Sequence, residues 1–270
     1  MRFLRRMAVR LTAAAALRYA PAMLAVISPA KSLDYERTLP PALDITCPAF
    51  ADDADRLARS AARLSAKKLG ALMHISPELS KLNVERFRTF ADAPERPALF
   101  AFAGDVYVGF DVHSLDPHAI DFAQDHLRIL SGLYGLLRPL DAIRPYRLGM
   151  GTKWAPRRKD LYDYWRGRIA EMLVKDADGP IINLASQEYW GAVDGRFPPG
   201  QRVIDIDFRE HGPKGLRFNS FAAKRARGMM ARYICEHRLS DPEALKGFDT
   251  DGYRFVPEES EPDRWRFTRT

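Results

Sequence analysis

Short runs of consecutive apolar residues indicate buried β-strands at intervals along the chain. The most apolar run is Ala98-Leu-Phe-Ala-Phe-Ala-Gly104, and a turn at Gly104-Asp105 leads into a second strand-like run. Two segments near the C-terminus alternate apolar and polar residues, as the strands of a hairpin do. We predict strands at residues 24–28, 98–102, 105–110, 180–184 and 202–208, and a terminal hairpin of residues 252–256 and 264–269.

Apolar residues spaced three and four apart predict amphipathic helices between these strands. Ser76 precedes Pro77, which places a capping residue before a proline at the first helical position. We predict helices at residues 52–69, 76–79, 83–90, 116–129, 161–175 and 220–238.

The order of these elements predicts an α+β fold. The chain shows no internal repeat, low-complexity tract or Pro/Gly-rich linker. We therefore expect a single compact domain in which a mixed β-sheet is surrounded by helices. No stretch reaches the roughly 18 uncharged apolar residues that a membrane-spanning helix needs, so we expect no membrane partner.

Residues 1–22 differ from the rest of the chain in composition, being rich in Arg and Ala. A short secretory signal, a transit peptide and an over-extended start before Met23 are all compatible with this pattern. Because a strand-like run follows at once, we favour the over-extended start. We expect residues 1–22 to be a disordered or mis-assigned extension and residues 23–270 to form the α+β domain.

The basic charge of the chain is unevenly distributed. The net charge is +7, but five arginines and no acid lie in residues 1–22, which leaves +2 for residues 23–270. Within that body, residues 128–168 and 202–238 are basic and alternate with acidic segments. The two blocks form a positively charged cleft if they meet in space; otherwise they are two solvated faces.

Two glycines, Gly132 and Gly135, lie between apolar segments that we predict to be helix ends. Such a helix–hairpin–helix element brings backbone amides close to a phosphate, and Arg128, Arg138, Arg144 and Arg147 surround it. Tyr134 makes the glycine spacing one residue longer than usual. The alternative is a corner that glycines close for packing alone.

Two further segments carry exposed-looking basic residues. Residues 149–159 form a basic loop that contains Lys153 and Trp154, a combination suited to phosphates and base stacking. Residues 222–233 are helical, and Lys224 and Arg227 share one face of that helix. Each segment is equally compatible with an ordinary solvated surface.

Several polar residues follow predicted strands, where catalytic groups often lie. They are Lys31, Asp34, Asp105, Ser186 and Glu188, and caps or turn-formers at strand ends have the same composition. The six histidines show no metal-ligand spacing, and the two cysteines form no CxxC motif. We therefore expect neither a metal nor a cofactor.

The order and spacing of several motifs closely resemble the bacterial YaaA family of peroxide-stress proteins. The resemblance covers residues 23–270 and includes Val26-Ile-Ser-Pro-Ala-Lys-Ser-Leu-Asp34 and Asn183-Leu-Ala-Ser-Gln-Glu-Tyr189. The remaining matching segments are residues 82–87, 102–109, 126–141, 145–153 and 223–232. Gly149 stands where an acidic residue is common in the family, and Gln187 where Asn is common.

The resemblance implies resistance to hydrogen peroxide, lowered free intracellular iron and protection of DNA. It further implies an unusual α+β domain with a helix–hairpin–helix element and a positive cleft that binds duplex and distorted DNA. The hairpin carries over to Gly132, Tyr134 and Gly135, with Arg128 and Arg138 beside it. The resemblance implies no catalytic residue set.

These observations lead to the hypothesis of a cytoplasmic stress protein that binds DNA with weak sequence specificity and needs no obligate protein partner. The expected DNA-binding residues are Arg128, Gly132, Tyr134, Gly135, Arg138, Arg147, Lys153, Lys224 and Arg227. The alternative is an enzyme of unknown reaction on a nucleotide or nucleic acid. Its candidate residues are Lys31, Asp34, Asp105, Ser186 and Glu188.

Overall fold

The computed structural model describes residues 23–41, 43–213 and 215–270, so the expectation for residues 1–22 lies outside the described residues. Its strands are β1 Leu24–Ile27, β2 Ser32–Leu33, β3 Arg96–Pro97, β4 Phe102–Ala103, β5 Leu127–Ser131, β6 Gly135–Leu137, β7 Ala142–Ile143, β8 Ile181–Leu184, β9 Val203–Gly212, β10 Gly215–Arg217, β11 Arg254–Phe255 and β12 Arg264–Arg269. Its α-helices are α1 Ala51–Ala61, α2 Ala66–Met73, α3 Pro77–Arg88, α4 Ala98–Ala101, α5 Asp105–Phe110, α6 Pro117–His126, α7 Leu161–Trp165, α8 Arg168–Asp176, α9 Gln187–Trp190 and α10 Ser220–Glu236. Within the described part, no helix is both long and apolar enough to cross a membrane.

One mixed sheet organises the domain, in the strand order β11-β12-β9-β8-β1-β5-β6, with β10 paired to β9. The five inner strands from β12 to β5 are parallel to one another, and β6, β10 and β11 pair antiparallel. The predicted mixed sheet with helices is therefore confirmed. Because its centre is parallel, the class is α/β, and the prediction of an α+β class is wrong on this point.

Strands β1 and β5 at the centre of the sheet are buried along their whole length because both faces of a parallel sheet are covered. All four residues of β1 are buried, as are all five of β5. Helix α10 packs against α5 and also contacts β1, β8 and β9. The predicted terminal hairpin is confirmed by the antiparallel pairing of Phe255 with Phe267.

The prediction of strands at residues 98–102 and 105–110 is wrong. Residues 98–101 form helix α4, and residues 105–110 form helix α5, which begins after Gly104. Short, fully buried apolar runs have no periodicity that separates strand from helix. In α5 the buried Val106 and Phe110 are four residues apart, and Asp105 lies in the first turn, where an acidic side chain is favoured.

The predicted helix at residues 52–69 is two helices, because the Ser65 hydroxyl caps α2 by accepting a hydrogen bond from the amide of Lys68. The predicted helix at residues 161–175 is likewise interrupted, at Arg166 and Gly167, between α7 and α8. The helix predicted at residues 116–129 ends at His126, and β5 begins at the next residue, Leu127.

The prediction of a helix–hairpin–helix at Gly132 and Gly135 is also wrong, because the flanking segments are the paired strands β5 and β6. A Cβ on Gly132 would lie 2.3 Å from the carbonyl oxygen of Leu148. Gly135 has a φ of +68°, and a Cβ on it would lie 2.8 Å from the ring of Trp165. The two glycines thus permit close packing and a tight turn.

Two consecutive helices joined by a short turn do occur in the described chain, at residues 66–88 instead. Helices α2 and α3 pack together across residues 74–76, where His74 has φ 51° and the Ser76 hydroxyl accepts a hydrogen bond from the amide of Leu79.

Candidate functional site at the carboxyl ends of the central strands

The ends of β1 and β8 are joined by a pair of serines. The backbone amide of Ser186 donates a 2.9 Å hydrogen bond to the Ser28 hydroxyl, and the two hydroxyls lie 3.3 Å apart. The chain leaves β1 for β5 on one side and later reaches β8 on the other side of β1. In parallel sheets, ligands bind at the carboxyl ends of strands where the connections diverge in this way.

A cavity of about 600 Å³ opens beside this pair of strand ends. Its walls come from the segment after β1, the last turn of α2, the loop that follows β7, and the first turn of α9. The lining residues are Pro29, Ala30, Lys31, Ala71, Leu72, Met73, His74, Tyr146, Arg147, Leu148, Gly149, Gly151, Thr152, Lys153, Glu188 and Tyr189.

The charged groups that line the cavity are mainly basic. Lys31 and Lys153 are exposed and Arg147 is half-buried, whereas Glu188 is the one carboxylate among the lining residues. None of the three cations forms an ion pair with any residue in the described ranges 23–41, 43–213 and 215–270. Such unneutralised cations at a concave surface attract anions.

Glu188 is held in place by contacts from two neighbouring segments. The Gly151 amide donates a 3.2 Å hydrogen bond to Oε1 of Glu188, and the Tyr162 hydroxyl donates a 2.7 Å hydrogen bond to the Glu188 carbonyl. Burial, together with the Glu188 charge, raises the pKa of Tyr189 well above its ordinary value. Tyr189 is therefore neutral, and Glu188 is a fixed acceptor at the cavity wall.

A second cavity, of about 690 Å³, contains Asp34 and Arg86. The Asp34 carboxylate accepts hydrogen bonds from the amides of Glu36 and Arg37, at 2.9 and 3.0 Å, and these bonds lower its pKa. This geometry is that of a turn-forming aspartate. Asp34 lines this second cavity and does not line the cavity that contains Lys31.

Arg86 is a charged group that the sequence analysis did not single out. Burial lowers the pKa of Arg86, and the positive charge of Arg147 lowers that pKa further. Arg147 therefore lies close enough to interact with a second guanidinium. Arg86 lies in α3 and His74 directly after α2. The segment of residues 82–87 resembles the family, but its residue types do not mark Arg86 as part of a site.

Asp105 lies at the start of α5, where its carboxylate is 3.6 Å from the Lys224 ammonium. Neither residue lines the cavity. Gly104 places this pair near the cavity edge, since a Cβ on Gly104 would lie 3.1 Å from the Ala30 side chain. The structure thus brings together Lys31, Ser186 and Glu188 at the ends of β1 and β8, and leaves Asp34 and Asp105 outside.

Several expected DNA-binding residues lie in the interior. Arg128 is 6% exposed and forms a 2.7 Å ion pair with Asp176. Tyr134 is 3% exposed, and its hydroxyl accepts a hydrogen bond from the Arg144 amide. Together with the buried Gly132 and Gly135, these groups belong to the packing of the β5–β6 hairpin.

The remaining candidates differ in how accessible their charges are. Arg138 is partly exposed and lies 3.4 Å from Asp141. Burial lowers the pKa of Arg227, whose Nε has no hydrogen-bond partner in the described structure. Lys153 and Lys224 are exposed and Arg147 is half-buried at the cavity. Among the described residues, no group of three or more His, Cys, Asp or Glu side chains is arranged to hold a metal ion.

The fold and the cavity define a class: an α/β protein with a mainly basic cavity at the carboxyl ends of a parallel sheet. The chain belongs to the family described as Peroxide stress protein YaaA, whose sequence pattern matches residues 23–259.

Relatives carrying the name UPF0246 protein match almost the whole of this chain. The protein of Rhizorhabdus wittichii is 60% identical over 253 residues, covering 92% of this chain and all of the relative. The Jannaschia protein is 50% identical, covering 92% of this chain and 97% of its own length. The Caulobacter vibrioides protein is 48% identical, covering 92% and 99%.

Proposed function

We propose that this peroxide-stress family member binds DNA through its backbone, using the basic surface around the strand-end cavity. The observation that carries the proposal is that Lys31, Arg147 and Lys153 line one cavity without ion-pair partners in the described structure. Phosphates of DNA supply the missing negative charge, and contacts to phosphates do not depend on base sequence.

Lys224 extends this surface beyond the cavity, since its partner Asp105 neutralises it only partly at 3.6 Å. Arg138 is a further contact on its exposed side, with 41% of its side chain accessible. Arg227 is half-buried, like Arg147, and stays a candidate contact. Arg128, Tyr134 and the hairpin glycines are buried, which leaves them unsuited to touching a phosphate. We therefore assign them to the fold.

The link between peroxide resistance and DNA binding is physical coverage of the duplex. A protein bound along the backbone shields sugars and bases from radicals that peroxide and iron generate. The described residues offer no ready iron site, so lowered free iron would be an indirect consequence. This function places the protein in the cytoplasm, where the chromosome lies.

The test is a titration of the full chain with fluorescent duplex DNA at low and at moderate salt. Lys153→Glu and Arg147→Glu should each weaken binding by about tenfold for all sequences alike, and the salt slope should shrink by about one unit. Lys175→Glu is the matched control, because Lys175 is exposed in the last turn of α8 and lines neither cavity.

The unmodified chain and the three variants share residues 1–22, so the basic residues of that segment do not cause any difference in DNA affinity between them. Equal affinity of Lys153→Glu, Arg147→Glu and the control at low salt would refute the proposal.

A second candidate function, an enzyme acting on a nucleotide or nucleic acid, is favoured by one observation. Lys31 and Glu188 line the same cavity, and Ser186 lies at its edge beside Ser28. A base, an acid and a hydroxyl near one another are the groups that acid–base chemistry uses. Incubating the protein with nucleotides and short DNA strands, beside Glu188→Gln, tests this function: product formed only by the unmodified protein supports it.

A further inference from the structure

The strand-end cavity has an apolar side that a phosphate-binding surface does not need. Ala71, Leu72 and Met73 come from the last turn of α2, and Pro29 and Ala30 follow β1. DNA backbone contacts use cations and amide donors, and gain nothing from an aliphatic wall. A ligand that uses the whole cavity must therefore have an anionic part and an apolar, planar or aliphatic part.

The volume of the cavity leads to the same conclusion. Pockets for small molecules and cofactors span roughly 300–1,000 Å³, and the 600 Å³ of this cavity lies inside that range. A single phosphate group would leave most of this space filled only by water. A phosphate joined to a sugar and a base matches it more closely.

Glu188 adds a third chemical feature to the lining. Its Oε1 accepts a hydrogen bond from the Gly151 amide, whereas its Oε2 has no hydrogen-bond partner among the described residues. A carboxylate repels a phosphate, so the part of the ligand that faces Glu188 must carry N–H or O–H donors. Base amino groups and sugar hydroxyls are such donors.

From these three features we infer that the cavity binds a single nucleotide unit, which is either a free nucleoside monophosphate or one unpaired nucleotide of a DNA strand. The phosphate lies among Lys31, Arg147 and Lys153, and the base packs against Ala71, Leu72 and Met73. Glu188 accepts a hydrogen bond from the base or the sugar. For the unpaired nucleotide, this inference rests on the proposed DNA binding.

Blocking the apolar side separates nucleotide binding from backbone binding. Ala71 is an exposed helical residue on the cavity wall, so Ala71→Trp fills space without changing any charge. Leu82→Trp is the matched control, since Leu82 is 45% exposed on α3 and lines neither cavity. Ala71→Leu provides a smaller block if the tryptophan variant proves unstable.

Two probes distinguish the two sources of the nucleotide. The first is deoxyadenosine monophosphate, with inorganic phosphate and deoxyadenosine as partial ligands, titrated by calorimetry into the full chain. The second is a duplex with one unpaired adenosine, compared with the fully paired duplex. We expect Ala71→Trp to lose at least about tenfold in affinity for the probe that binds, while Leu82→Trp stays within about twofold.

Each outcome decides between the two hypotheses. Binding of the free monophosphate identifies the free nucleotide as ligand, and preference for the unpaired adenosine identifies the DNA nucleotide. The inference is overturned if the protein neither binds the free monophosphate nor prefers the unpaired adenosine. It is also overturned if Ala71→Trp leaves these affinities unchanged. Binding to the fully paired duplex would in either case still support the proposed DNA binding. Monophosphate binding without any duplex binding at low salt retains the cavity assignment and overturns the proposed DNA binding.

Discussion

The Ser186 amide donates a 2.9 Å hydrogen bond to the hydroxyl of Ser28, although the two residues are 158 positions apart in the chain. The Ser28 carbonyl in turn accepts a 3.2 Å hydrogen bond from the buried Tyr107 hydroxyl. Ser28 is 8% exposed, so water replaces neither bond easily. This one residue fixes the direction in which the chain leaves β1 toward Lys31, and also fixes the approach of α9 with Glu188.

Replacing Ser28 with alanine removes the acceptor of the Ser186 amide. We expect Ser28→Ala to lower the free energy of unfolding by about 1–2 kcal/mol, because a part-buried amide loses its partner. Urea denaturation followed by circular dichroism measures the change. Ser32→Ala is the control at an exposed position of β2, and an equal loss in both variants would contradict the role of the serine pair.

Strands β1, β8 and β9 could be predicted from the sequence, because β1 and β8 are short apolar runs followed by polar residues and β9 begins with alternating apolar and charged residues. The sequence also placed Lys31, Ser186 and Glu188 at strand ends. It did not show that β1 and β8 are neighbours, since strand order depends on how the intervening residues cross the sheet. The partnership of Ser28 with Ser186 is a consequence of that order.

Gly132 is a second position where the fold determines the site. It has no room for a side chain, because a Cβ would lie 2.3 Å from the carbonyl oxygen of Leu148. Gly132→Ala should therefore push away the loop that carries Arg147 and Lys153. We expect a loss of about 1–3 kcal/mol in unfolding free energy together with weaker DNA binding.

Gly151→Ala is the control in the same loop, where a Cβ would meet Glu188 at an ordinary 3.4 Å. Denaturation and DNA titration of both variants provide the comparison. If Gly132→Ala were as stable as Gly151→Ala, the close contact would not constrain the loop.

Arg128 illustrates why basic residues in a sequence do not by themselves define a nucleic-acid surface. Its charge block is real, but β5 carries this side chain into an ion pair with Asp176 and onto the carbonyl oxygens of Gln124 and Leu127. The sequence shows which residues are basic, whereas the burial of their side chains and their ion-pair partners depend on the tertiary fold. The same applies to Tyr134, which is buried in the packing of the hairpin.

Arg128→Met should accordingly change stability and leave binding unchanged. We expect a loss of about 3 kcal/mol in unfolding free energy, because Asp176 loses its partner while its side chain is only 23% exposed. Arg254→Met, which removes an ion pair with both side chains largely exposed, should cost below about 1 kcal/mol. If the folded Arg128→Met variant bound DNA markedly more weakly at low salt, the assignment of Arg128 to the fold alone would be wrong.

His126 makes the stability of the domain depend on pH. Burial lowers the pKa of His126, and Arg128 lowers it further, although the Phe122 carbonyl and Asp125 act in the opposite direction. The ring stacks on Phe122 at 3.6 Å, and its Nδ1 lies 3.0 Å from the Phe122 carbonyl oxygen. In the unfolded chain the pKa of a histidine returns to about 6.5.

As the pH falls below about 6.5, the unfolded chain binds a proton at His126 before the folded protein does. The contribution of the neutral ring to stability is therefore present near neutral pH and is lost toward the lower folded pKa. His126→Gln should show a smaller drop in urea midpoint between about pH 7.5 and about pH 5.5 than the unmodified protein. His118→Gln, at an exposed position in the first turn of the same helix, provides the control. An identical drop in all three proteins would mean that the acid sensitivity arises from groups other than His126.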